Sequence, residues 1–122
     1  MKTNGKVVAM KRSGNVAGFK ETDAAELARL IATYAPHDGS FKLAVPGLNV
    51  ARFTRINGEC VHGLQSPALC IIAQGAKSVI VGDEVFEYDA SRMMTFSVAL
   101  PVAAQVTVAS PAKPYQIGRA HV

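Results

Sequence analysis

The chain has 122 residues, 49% apolar and 18% charged, which suits one domain with a sizeable buried core and excludes wholesale disorder or a collagen-like rod. The net charge of +4 is uneven: Lys2, Lys6, Lys11, Arg12 and Lys20 give residues 1–20 a charge of +5, Arg119 adds one more, and seven basic against nine acidic residues leave 21–116 at −2. The folded body therefore lacks the clustered cations of a nucleic-acid-binding face, and no apolar run approaches the roughly 18 residues of a membrane-spanning helix.

Residues 1–21 show no clear periodicity and are expected to form a flexible basic leader, with Met10 as an alternative start. The leader has no sustained apolar stretch, so no secretory signal is expected. Cys60 and Cys70 are too few for a disulfide framework and are read as reduced thiols of a cytoplasmic protein.

The pattern changes at Thr22. Asp23 suits a helix cap, with Glu26 three residues on, and Leu27, Leu30, Ile31 and Tyr34 fall on one stripe. Pro36 stops the helix, which is predicted over about 24–35, and His37-Asp38-Gly39-Ser40 is a turn.

Beyond Ser40 the helical period disappears. Short β-type runs separated by Gly and Pro cover Phe41–Val45, Val50–Ile56, Leu69–Ala73, Ser78–Val81, Glu84–Tyr88, Met93–Val98 and Val102–Ala109. Gly82-Asp83 suits a two-residue primed turn, because Gly supplies the positive φ such a turn demands. In the last run Val102, Ala104, Val106 and Val108 alternate with Gln105 and Thr107, as in a half-buried strand. Strands without intervening helices, after one amphipathic helix, predict a mainly β domain, a small barrel or jelly roll able to enclose one ligand.

Several phrases are more specific. They are Pro46-Gly47-Leu48 with Arg52, Ser66 to Lys77 (SPALCIIAQGAK), Gly82 to Asp89 (GDEVFEYD), Ser97 to Val102 (SVALPV) and Ala109 to Tyr115 (ASPAKPY). In this order and spacing the stretch 22–116 resembles the N-terminal domain of AraC-type bacterial transcription regulators. The resemblance implies an incomplete cupin-like barrel that senses a small-molecule effector or mediates dimerisation, with DNA contacted only through a C-terminal helix-turn-helix domain that this sequence lacks. It implies a homodimeric full-length regulator, no membrane, no cofactor and no catalysis. The alternative is a freestanding cupin-like small-molecule-binding protein or enzyme. One back-translation of Ile117–Val122 looks like a sequencing-library adapter, so 117–122 is read as a non-native tail and the domain as truncated before it.

Candidate site residues are few. Metal-dependent cupins need closely spaced histidines, and His37, His62 and His121 lack that spacing. No nucleophile elbow or phosphate loop is present, and Asp83-Glu84 reads as a solvated hairpin tip. Arg52 and Gln74 interrupt β-type runs with polar groups that need partners if they face the barrel, and Tyr88 offers a hydroxyl and a ring to the same lumen. Each is a candidate ligand contact or a structural hydrogen bond. Cys70 lies in an apolar run and reads as a buried structural thiol or a sensing thiol.

Overall fold

The computed structural model describes residues 2–3, 7–11, 21–56 and 60–121. One helix, α1 (Glu21–Tyr34), accompanies eleven strands: β1 (Lys2–Thr3), β2 (Val7–Lys11), β3 (Gly39–Lys42), β4 (Leu48–Phe53), β5 (Val61–Gln65), β6 (Ala68–Gln74), β7 (Ala76–Val81), β8 (Glu84–Asp89), β9 (Arg92–Phe96), β10 (Leu100–Val108) and β11 (Tyr115–His121). A seven-stranded sheet runs β1-β2-β9-β6-β11-β4-β3, and a four-stranded sheet runs β5-β10-β7-β8. All the pairings are antiparallel. The result is mainly β, a cupin-like jelly roll whose barrel is not closed.

Period-2 alternation explains the core. Ala51, Cys70, Ile72, Met94, Phe96, Tyr115 and Ile117 of the large sheet meet Val79, Phe86, Tyr88 and Val106 of the small one. The opposite face of the large sheet carries α1, where Ile31 and Ala35 are buried with Val50 and Ala73. The predicted helical stripe is thus rotated. Leu27 and Ile31 pack inward, but Leu30 and Tyr34 are 43% and 58% exposed. The helix also begins earlier than predicted, at Glu21, so Asp23 lies within its first turn, and Glu26 pairs with Arg29.

The Gly82-Asp83 hairpin forms as expected: Val81 opposes Glu84, and Gly82 has φ +62°. Four strands depart from the sequence reading. Residues 2–3 and 7–11, expected in a flexible leader, form β1 and β2, and β2 pairs with β9 along Val7–Lys11. Val61–Gln65 forms β5, a strand without period-2 polarity because it is exposed along most of its length. Residues 117–121, read as a tail, complete β11, which lies between β4 and β6 and carries the fully buried Ile117.

The chain passes from the large sheet to the small one at Gly75, between β6 and β7. Its φ is +84°, and a Cβ there would meet Val108 O at 2.5 Å and Tyr115 Cα at 2.9 Å. At Gly82 a Cβ would meet nothing. Gly75→Ala is expected to cost about 3 kcal/mol or more, left-handed strain plus a backbone clash, against about 1 kcal/mol for Gly82→Ala. Urea unfolding of the two variants measures the difference. A chain ending at Gln116 is expected to lose cooperative thermal unfolding, because β4 and β6 then face each other across the place of β11; calorimetry reads this directly.

Candidate functional site

A cavity of about 320 Å³ lies between the sheets. Its apolar wall comes from alternate residues of β7 and β10, namely Val79, Val102, Ala104 and Val106, with Phe53 and Phe96 from the large sheet. β5 forms another wall and brings His62 and Gln65 to it.

Four polar side chains break the apolar interior. Lys77 of β7 is 8% exposed. Its Nζ lies 5.7 Å from the Tyr88 ring centroid and 6.0 Å from that of Tyr115, so two aromatic faces partly replace the water it has lost. Among the described residues no carboxylate pairs with it. Burial, reinforced by the nearby Arg119 charge, lowers the Lys77 pKa to about 8. Among the described residues, the hydroxyls of Tyr88 and Tyr115 and the Nε of Arg119 are buried without hydrogen-bond partners. Burial raises both tyrosines, which keeps them protonated as donors. Each unsatisfied group costs roughly 1–3 kcal/mol of desolvation.

The residues singled out in the sequence divide between two faces. Tyr88 does face the interior, 2% exposed, with Cys70 across from it in the same core. Arg52 and Gln74 do not share that lumen; they lie on the helix side of the large sheet. Arg52 Nη1 donates to the Ala35 carbonyl at 3.3 Å, closing the end of α1, and its Nε lies 4.0 Å from Asp38 Oδ1. The same Asp38 accepts from Thr54 N and Thr54 Oγ1 at 3.0 and 2.8 Å, and those hydrogen bonds hold its pKa below the usual carboxylate range. Gln74 Nε2 donates to Pro114 O at 2.8 Å. The reason for its placement is a bulge: Gln116 opposes Gln74 but Ile117 opposes Ile72, so Ala73 is an extra residue and Gln74 turns to the side of α1. Both side chains then line a shallow groove beside Ala28, Ala32 and Pro111.

Cys70 is 1% exposed and burial raises its thiol pKa, the opposite of what a reactive thiolate needs. Cys60 Sγ faces Gln105 Oε1 at 3.8 Å. His37 packs edge-on against Phe41, away from the cavity. No group of three or more His, Cys, Asp or Glu draws together among the described residues, so no metal ligand set is available there.

Lys77, Tyr115 and Arg119 were not found by sequence reasoning. A signal existed: Lys77 is in phase with Val79 and Val81, and Tyr115 and Arg119 are in phase with Ile117.

The fold and its interior define a small jelly-roll domain with a ligand-sized cavity between two sheets. The family model for the AraC-type transcriptional regulator N-terminus matches residues 44–119, and the chain belongs to that family. The match includes Lys77, Tyr88, Tyr115 and Arg119. No curated protein and no solved structure matches the chain. No helix among the described residues is long and apolar enough to cross a membrane.

The buried lysine makes stability depend on pH. Its pKa is about 8 folded and 10.5 unfolded. Above pH 8 the unfolded chain keeps a proton that the folded one releases, so stability rises with pH. Above pH 9 the raised Cys70, and then Tyr88 and Tyr115, act in the opposite direction. The thermal midpoint is expected to rise from about pH 8 to pH 9. In Lys77→Met, an unbranched apolar replacement, that rise should be absent; scanning calorimetry across the interval checks it.

Proposed function

We propose that this chain is the effector-sensing part of an AraC-type regulator and that the effector binds between the two sheets. The observation that carries this reading is the set of Lys77, Tyr115 and Arg119, which line an apolar cavity while no carboxylate among the described residues pairs with either cation. A folded domain that held these groups for stability alone would pair them. A ligand reaching Lys77 and Arg119 touches both sheets at once. β11 also packs against α1 on its far side, so a change at Tyr115 or Arg119 passes through one strand to the helix. Sensing requires that the ligand bind two positions of α1 with different affinities, and β11 is the contact between cavity and helix on which this reading relies. The exposed Leu30 and Tyr34 on α1 support a role for this helix in subunit association. In this reading the protein works in the cytoplasm, and DNA is contacted by a helix-turn-helix domain outside these residues.

A neutral probe tests the location of the site. Benzyl alcohol is expected to give saturable amide shifts on β5, β7, β10 and β11. Ala104→Phe, which fills the cavity from β10, should abolish them while preserving the far-UV circular dichroism. Shifts confined to the α1 side, or undiminished in Ala104→Phe, would overturn the proposal.

A further inference from the structure

Lys77 and Arg119 are two cations from different sheets that line one cavity. Each enters from a strand whose other inward residues are apolar or aromatic: Val79 and Val81 beside Lys77, Ile117 and Tyr115 beside Arg119. Their mutual repulsion contributes to the lowering of Lys77, and no acidic side chain among the described residues stands between them. At pH 7, with a value of about 8, Lys77 is still mostly charged. Two uncompensated positive charges at one apolar cavity are costly to hold, and one anion between them would relieve desolvation and repulsion together. The Tyr115 hydroxyl, which has no hydrogen-bond partner among the described residues, belongs to a residue of the same lining and is a neutral donor. Phe53, Val102 and Val106 form an apolar part of the wall, and Ser40, His62, Gln65 and Gln105 also line it.

We infer that the cavity selects an organic carboxylate, with the carboxylate held between Lys77 and Arg119 and an apolar body lying against Phe53, Val102 and Val106. The inference rests on the interior site proposed above and adds the chemical class of its ligand. Arg119 offers a planar fork suited to a carboxylate, and Lys77 acts as a point charge. Tyr115, on the same strand face as Arg119, donates its hydroxyl to the same group. A volume of about 320 Å³ suits a ligand the size of a benzoate or a medium-chain acid.

Matched probe pairs separate charge from shape. Isothermal titration at pH 7 compares benzoate with benzamide, and hexanoate with hexanamide, with inorganic phosphate as a bare anion. Each acid is expected to bind at least about tenfold more tightly than its amide and more tightly than phosphate. Lys77→Met should weaken the acids by about ten- to a hundredfold, the loss of a charge-assisted contact, and leave benzamide within about twofold. Lys77→Arg keeps the charge and should retain most of the affinity. It serves as the folded control, and circular dichroism is recorded for every variant. Amides that bind as well as acids, or acids unaffected by Lys77→Met, would overturn the carboxylate assignment and leave the interior site standing. Phosphate binding as tightly as benzoate would overturn the apolar half of the assignment, and no binding by any acid would overturn it whole. Failure of the interior site itself shows separately, in the benzyl alcohol shifts of Ala104→Phe.

Discussion

The structure depends on the insertion of β11 between β4 and β6. Six backbone pairings tie it to β4 and six to β6, so it joins two parts of the large sheet that are not otherwise hydrogen-bonded. The chain order explains why this is demanding. β10 lies in the small sheet, and the chain must cross back through the loop before Tyr115, where Ser110 N donates to Lys113 O at 3.1 Å and Lys113 N to Ser110 Oγ at 3.0 Å. A strand added last in sequence but placed centrally cannot pair until its neighbours are in position. The residues it brings are also the ones that matter inside: Tyr115 and Ile117 fill the core, and Arg119 lines the cavity.

The polar interior sits against that demand. Lys77, Tyr88, Tyr115 and Arg119 occupy inward positions where aliphatic residues would pack without desolvation cost. Places where a sequence departs from the rules of its own fold tend to be functional. Here Lys77, Tyr115 and Arg119 reach one volume from strands of both sheets, whereas a buried lysine that had simply been tolerated would leave its surroundings unaltered.

Much of this was legible in the sequence. The apolar alternation, the Gly82-Asp83 turn and the helix stop at Pro36 are local signals, and β4 and β6 to β10 lie close to where those signals place them. What was not legible depends on pairing. β2 has ordinary strand composition, and its pairing with β9 ties it to the rest of the large sheet. β5 is exposed and therefore lacks alternation. Ile117 to His121 reads as an isolated ending until β4 and β6 flank it. At the site, Tyr88 was found because it stands in a regular run with Phe86. Arg52 sits on a helix-facing position, which the strand pattern alone cannot tell from a lumen-facing one. Gln74 would share a face with Cys70 and Ile72 by simple alternation, and only the register of β11 shows otherwise.

That last case has a wider consequence. In β6 the even positions 68, 70 and 72 point inward, and the extra Ala73 resets parity immediately before the chain enters the small sheet. Were β6 paired in regular alternation through Ala73, without the bulge, Gln74 would take the inward phase of Ile72, bringing an amide into the interior beside Lys77 and taking it from the Pro114 carbonyl. The chemical character of the interior is thus governed by a count of residues as well as by their kinds. Single-residue insertions and deletions within β6 should therefore be far less neutral than substitutions at its exposed positions, even where every side chain that lines the cavity is kept.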